Sequence, residues 1–262
     1  MYPFISSTMS NKEYHSRSEL SKSSLDKIAK SVRHYLSLNT FPPESTPAMV
    51  VGSLLHTVVL EPHLLDNEYI VEPSFDRRTA KGKTEAASFE ASVGDRTAYK
   101  QEWLDLALAM KESVLSCKTT QALLKDATLE HSAFWIDEES GVPCRCRPDI
   151  AWGDSILADL KTTEDIEKFK WTVKDRNYHK QAAMYLDGYS IATGKQFKDF
   201  IFIVIEKKPP HGVMFYSLCE SAIEVGRKAY KSDLMKWAKY KQDGIITSYP
   251  DEVVPLEIKF YD

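Results

Sequence analysis

The chain has 262 residues, 43% hydrophobic and 27% charged, with 34 Lys plus Arg against 38 Asp plus Glu and a formal net charge of -4. That length buries a sizeable core and that apolar fraction argues against disorder. The charge balance excludes a small, strongly basic nucleic-acid-coating protein but leaves room for a local basic channel.

Residues 1–20 are polar and expected to be partly extended. Ser21-Lys22-Ser23-Ser24 offers N-caps for a helix reaching Tyr35, with Leu25, Ile28, Ala29 and Val32 at helical spacing. Residues 41–47, with three prolines, read as a loop, and Ala48–Leu60 as an apolar helix. Residues 72–98 mix Arg77, Arg78, Lys81 and Lys83 with Gly, Thr and Ser and read as a mobile basic loop. Residues 99–126 carry an apolar stripe of one long helix or two. The pattern then turns to strands: Glu130–Ile136, Cys144–Trp152 and Ser155–Lys161, with turns at 138–141 and Gly153-Asp154. A helix follows over Asn177–Thr193, a buried strand over Lys198–Glu206, an alternating strand over His211–Cys219 and a closing helix over Glu220–Lys241. This order implies an α/β fold, a mixed central β-sheet flanked by α-helices, in a single domain over 1–262: a mainly helical part to 126, then a sheet core and closing helix over 127–262.

The longest apolar run, Phe200 to Ile205, is far short of the roughly 20 residues that span a bilayer. The first ten residues have no basic start and no sustained apolar stretch, so no signal peptide is expected. Cys117, Cys144, Cys146 and Cys219 read as reduced thiols. Cys144 and Cys146, two apart, cannot make the usual metal knuckle. A cytoplasmic protein without membrane contact is the expectation.

The chemistry concentrates in Pro148-Asp149 and Asp159-Leu160-Lys161. Two carboxylates and a lysine on adjacent strands are common on a solvated sheet face. Here the flanks are apolar, Ile150-Ala151-Trp152 and Ile156-Leu157-Ala158, so the strands are central. Buried carboxylates there are costly unless paired or bound to a cation. Two of them repel, and a divalent cation relieves the repulsion. Oxygen ligands suit Mg²⁺ or Mn²⁺. Asp159 and Lys161 share a strand face, which sets the lysine beside such an ion. Register is decisive. A two-residue loop at Gly153-Asp154 would set Asp149 opposite Ala158, on the wrong face. A three-residue loop or one bulge sets it opposite Asp159, and that odd register is expected.

Pro148-Asp149, then Asp159-Leu160-Lys161, resembles the signature of the PD-(D/E)xK nucleases. Gly52-Ser53-Leu54-Leu55-His56 on an upstream helix, followed by Glu61, and Gln181-Ala182-Ala183-Met184-Tyr185 on a later one resemble the RecB-like branch. Met9–His15 and Leu20–Leu25 resemble the start of the RecE-type exonuclease domain, and the resemblance covers nearly the whole chain. It implies a Mg²⁺-dependent 5′-to-3′ exonuclease (Mn²⁺ as the substitute) that releases mononucleotides from ends of double-stranded DNA. The product is a 3′ single strand for recombination and repair. It further implies a ring-shaped homo-oligomer, a tetramer, and a single-strand annealing partner of the RecT kind. His56, Asp149, Asp159 and the Leu160 carbonyl become the implied metal ligands, Lys161 the residue that orients or deprotonates water, and Gln181 and Tyr185 backing or DNA-strand contacts. Many relatives carry Glu where this chain has Asp159, so the ion would sit closer to the strand.

Bland readings stand beside these. His56 alone would be a hydrogen-bonded core histidine, and Gln181 and Tyr185, four apart, ordinary helix residues. Glu61 is either a ligand-backing carboxylate or a helix-end acceptor. Glu130, at the start of its strand, is a candidate to back the ligands. Arg77, Arg78, Lys81 and Lys83 are either a solvated loop or phosphate contacts. The rival functions are a single-strand or structure-specific endonuclease, and a non-catalytic DNA-binding repair domain.

Overall fold

A computed structural model of the chain describes residues 2–42 and 44–257. Met1, Pro43 of the expected 41–47 loop, and residues 258–262 at the end of the expected 1–262 domain lie outside the described residues. In chain order the elements are β1 (Phe4–Ser6), α1 (Asn11–Ser16), α2 (Lys22–Lys30), α3 (Val32–Leu36), α4 (Pro47–Leu60), α5 (Leu65–Glu68), β2 (Tyr69–Val71), α6 (Ala80–Val93), β3 (Thr97–Tyr99), α7 (Gln101–Ser116), α8 (Lys118–Leu124) and β4 (Thr128–Leu129). They continue with β5 (Ser132–Ile136), β6 (Pro143–Cys146), β7 (Ile150–Trp152), β8 (Ile156–Thr163), α9 (Phe169–Asp175), α10 (Tyr178–Thr193), β9 (Asp199–Glu206), β10 (Val213–Ser217) and α11 (Glu220–Asp243).

A five-stranded mixed sheet runs in the order β10-β9-β8-β7-β4. Its central pair, β8 and β9, is parallel and the other pairs are antiparallel. Parallel neighbours need a long crossover, and α9 and α10 supply it. The two faces of β8 divide the core. Leu157 belongs to a buried cluster with Ala182, Ala183, Leu186, Tyr230 and Leu234 from α10 and α11. Ala158 and Leu160 belong to another with Leu54, Leu55, Ala107 and Met110 from α4 and α7. The expected α/β class, a mixed sheet between helical layers, is what the chain adopts.

The strand expectations need one correction. Cys144–Trp152 is not continuous: it breaks between Cys146 and Ile150, and its halves join different sheets. Glu130–Ile136 starts late, at Ser132, and a separate short strand, β4, precedes it in the other sheet. β4 and β7 enter the five-stranded sheet, while β5 pairs with β1 on one side and β6 on the other in a three-stranded antiparallel sheet. Pro148 has no N–H to extend a ladder, and Glu130, expected to open the strand, sits in the other break at φ 53°. The two breaks lie side by side, the Glu130 N–H donating to the Asp149 carbonyl at 3.1 Å.

The helical half differs in two places. Residues 72–98 are not a loop: they hold α6, capped by the Thr79 hydroxyl, and β3. The amphipathic signal was weak because only Gly82 and Ala86 of α6 are buried. The expected helix to Tyr35 breaks at Ser31, whose extended backbone ends α2 and whose hydroxyl caps α3. Residues 101–124, expected as one long helix or two, form two that meet at Cys117. No single helix among the described residues is long and apolar enough to cross a membrane.

All four cysteines are free thiols. Burial pushes Cys144 up to about 12 and raises Cys146 well above the usual thiol range, whereas the exposed Cys219, at the start of α11, is lowered by the Ser221 hydroxyl and the Ala222 N–H. Thiolate is the reactive form. An aromatic disulfide reagent at pH 8 is expected to modify Cys219 first, leaving Cys144 and Cys146 unmodified until denaturant is added. Peptide mapping of the native, labelled protein checks this; early labelling of Cys144 would contradict the burial of β6.

Candidate active site

α4 begins at Thr46, whose hydroxyl accepts from the Met49 N–H, with Pro47 in its first turn. Its apolar residues bury Val50, Val51, Leu54, Leu55 and Val58 against the sheet. That docking brings His56 to β8: Nε2 lies 2.9 Å from the Leu160 carbonyl. Its Nδ1 lies 3.3 Å from Asp149 Oδ2 and 4.0 Å from Glu130 Oε1.

The turn between β7 and β8 has three residues, with Gly153 at φ 57°. Ile150 pairs with Ala158, so one step further the register sets Asp149 across from Asp159. This is the odd register expected from the sequence, and it puts both carboxylates on the face of β8 that carries Lys161. Asp149 Oδ2 accepts the Leu160 N–H at 2.6 Å. Lys161 Nζ contacts Asp159 Oδ2 and lies 4.9 Å from the centre of the Tyr178 ring. From α10, Gln181 Nε2 donates to Asp159 Oδ1 at 2.7 Å. Asp149, Asp159 and Gln181 are all buried.

The electrostatics follow from burial and crowding. Burial works to depress His56, but the Asp149 carboxylate, its hydrogen bond, Glu130 and Asp159 outweigh it and raise the imidazole to about 9. Burial, and then Asp149, push Glu130 well above the usual carboxylate range. Asp159 is raised by burial and by repulsion from Asp149. Asp149 is lowered, because His56, Lys161 and the Leu160 N–H overcome its burial. Lys161 stays an ammonium: burial opposes its charge, but Asp159 and Asp149 more than restore it.

His56, Glu130 and Asp149 each offer a ligand atom, and these lie within 4.8 Å of one another. Imidazole and carboxylate oxygens suit Mg²⁺ or Mn²⁺. Asp159 Oδ2 is buried and accepts no well-formed hydrogen bond. This donor set fits a divalent cation.

Other expected residues are placed differently. Glu61 ends α4, and its carboxyl is raised by burial. Tyr185, one turn beyond Gln181, packs edge-on to Phe200 at 6.2 Å and makes no hydrogen bond to either aspartate among the described residues. The basic cluster is mostly neutralised locally. Arg77 pairs with Glu72 and Glu90, Arg78 with Asp76 and Lys81 with Glu85, all exposed. Three residues had not been singled out. Arg147 is buried and binds Ser132, Asn11 and the Met9 carbonyl, anchoring α1 beside the site. Its signal was a charged residue in an apolar strand, directly before Pro148-Asp149. Lys180 is buried against Asp233 and Asp26, partners too distant in sequence to foresee. Tyr178 lies between Lys161 and Lys22, 4.9 and 5.5 Å from its ring centre.

No functionally curated protein matches this sequence. Among solved structures, the chain resembles a Eubacterium rectale protein described as a "Putative exonuclease", at 13% identity and a TM-score of 0.67, over 96% of each chain. An alkaline exonuclease from Laribacter hongkongensis matches 64% of this chain and 87% of its own, at 15% identity and a TM-score of 0.29. The first likeness bears on the fold alone, and the second is too slight to carry an argument. Residues 21–249 match the family described as a PDDEXK-like domain of unknown function (DUF3799), a span that includes every residue of the cluster from His56 to Gln181, and the chain belongs to that family.

Proposed function

We propose that the protein is a metal-dependent exonuclease that digests double-stranded DNA from its 5′ ends, releases mononucleotides and leaves a 3′ single strand. The observation that carries this proposal is the convergence of Asp149, Asp159, Lys161 and His56 from β7, β8 and α4 on one buried spot. Gln181 holds one of the carboxylates there. The family and the resemblance of Met9–His15 and Leu20–Leu25 to RecE-type exonucleases support it.

In this scheme His56, Asp149 and Asp159 hold Mg²⁺, with Mn²⁺ as the substitute. A bound ion supplies a water of lowered pKa and offsets charge on the scissile phosphate. Asp149, lowered and fixed by the Leu160 N–H, is the carboxylate that remains ionised. Gln181 fixes the rotamer of Asp159 by occupying Oδ1, which directs Oδ2 toward Lys161. Lys161, an ammonium between two carboxylates, orients the attacking water and counters phosphate charge. A cleft of about 450 Å³ lined by Tyr178, Lys22, Lys27, Lys30 and Arg176, with Asp26 and Asp175 among them, carries an excess of cations to offer a DNA backbone. A ring-shaped tetramer and a RecT-like annealing partner in the cytoplasm belong to the same proposal.

Digestion of linear duplex labelled at the 5′ or the 3′ end, with Mg²⁺ and with chelator, tests it. Early release of the 5′ label as mononucleotide, abolished by chelator and absent on closed circular DNA, is expected. Cutting of closed circles would replace the exonuclease with an endonuclease. Failure to release nucleotides under any metal would favour a DNA-binding domain that retains the fold.

A further inference from the structure

We propose that Glu130 is a direct ligand of a divalent cation, completing a site with His56 Nδ1 and Asp149 Oδ2. This extends the metal-dependent proposal, which needs only His56 and the two aspartates.

The case starts with how this protein treats its other buried carboxylates. Glu19 is held by Arg17 and Tyr2, and Asp137 by Ser140 and Lys231. Asp233 is held by Lys180 and Lys236, Asp149 by the Leu160 N–H, and Asp159 by Gln181. Each buried charge has a donor, as its desolvation cost demands. Glu130, less deeply buried than these, has none among the described residues. Its side chain is only 13% exposed, no hydrogen bond reaches its carboxylate, and its nearest cationic partner is His56 at 4.0 Å. It faces Asp149, which adds repulsion.

The backbone shows that this placement is built. Glu130 is in the left-handed region at φ 53°, a conformation costly for a non-glycine residue and kept only where the surroundings impose it. It is imposed by the paired strand breaks, where the Glu130 N–H donates to the Asp149 carbonyl. The strain therefore holds two carboxylates together with an imidazole, all three ligand atoms within 4.8 Å. His56 Nε2 is engaged by the Leu160 carbonyl, which leaves Nδ1 as the atom directed at both acids. One imidazole nitrogen and two carboxylates, with room for waters, is a donor set for Mn²⁺ or Mg²⁺. Such an ion would remove the repulsion that leaves Glu130 unpartnered.

The test is Mn²⁺ binding without DNA, by calorimetry and by the Mn²⁺ electron paramagnetic resonance signal. Glu130→Gln keeps the shape and removes the charge. It is expected to weaken Mn²⁺ binding at least tenfold and to reduce the rise in melting temperature that Mn²⁺ gives the wild type. Glu112→Gln, an exposed acid on α7 outside the triad, is expected to bind as wild type. Wild-type Mn²⁺ affinity in Glu130→Gln would overturn the assignment, as would equal losses in Glu130→Gln and Glu112→Gln. If Glu130→Gln does not fold, Glu130→Asp, which keeps the charge but withdraws it by one methylene, is expected to lose affinity in the same assay. Undiminished affinity there would also overturn it. Because no DNA is present, loss of Mn²⁺ supports the ligand even if the wild type does not cut duplex, and a wild type that cuts does not rescue it.

Discussion

Asp159→Asn is expected to lower Mg²⁺-dependent release of nucleotides from linear duplex by about a thousandfold, with little change in thermal stability. The size follows from what one side chain does twice. Its Oδ2 faces Lys161 and is a candidate ligand oxygen, and its Oδ1 is held by Gln181. Asparagine keeps the shape, and its amide oxygen still accepts from Gln181, so α10 stays docked. What disappears is the negative charge that offers Oδ2 to a cation and holds Lys161 in place. Losing one preorganised electrostatic group in a buried site typically costs about 10²–10³ in rate, and this group serves both the ion and the lysine. Stability is spared because the repulsion between Asp149 and Asp159 is relieved while Lys161 keeps Asp149 as a partner. A melting temperature within about 3 °C of wild type is expected, about 1 kcal/mol at this chain length. Digestion within tenfold of wild type would exclude Asp159 from the reaction.

The largest stability effect is expected from Gly226→Ala. Gly226 lies in the part of α11 that crosses the start of α10. A Cβ there would sit 2.9 Å from the Lys180 nitrogen and closer still to the His179 carbonyl. Those atoms are backbone, so no rotamer change relieves the clash and the two helices must separate. Alanine is intrinsically better than glycine in a helix by about 1 kcal/mol. Overpacking costs about 1–3 kcal/mol or more, and here backbone must move. A net loss of about 2 kcal/mol or more is expected, seen as a fall of roughly 4–8 °C in melting temperature. Because α10 also carries Gln181 and the buried Lys180–Asp233 pair, activity should fall with stability. Gly52→Ala is the control: nothing lies within 4 Å of an added Cβ on α4, so the helix-propensity gain is unopposed and the melting temperature should hold or rise. If both variants shift the melting temperature equally, the close α10–α11 contact is wrong.

Much of this was legible in the sequence, for identifiable reasons. The position of α4 followed from an apolar run after the proline-rich loop, although Pro47, read as the end of that loop, is its first residue. The odd register of β7 against β8 followed from requiring Asp149 and Asp159 to share a face. The helix 80–93 was not legible as such, because a surface helix with two buried residues has almost no stripe and its Lys, Gly, Thr and Ser resemble a loop. The break at Ser31 was missed because serine is tolerated inside a helix as well as at its ends; the α3 cap, with His34 N–H on the Ser31 hydroxyl, decides it. Lys180 gave no signal, since its partners Asp26 and Asp233 are set by how α2 and α11 pack on α10.

The sequence by itself singled out the groups that the fold gathers: two aspartates, a lysine, a histidine and a glutamine, at spacings that local periodicity converts into strand faces and helix faces. Only the tertiary structure decided what stands next to what. Glu130 meets Asp149 and His56 because two strands break at the same level and change sheets together. A break of that kind depends on which sheet can accept each half, a property of packing across the whole core. Arg77, Arg78 and Lys81 pair with nearby acids, and the Arg77–Glu90 pair forms for the same reason: α6 brings Glu90 to Arg77. Local sequence specifies direction along an element, and proximity between elements is set by how their buried faces fit.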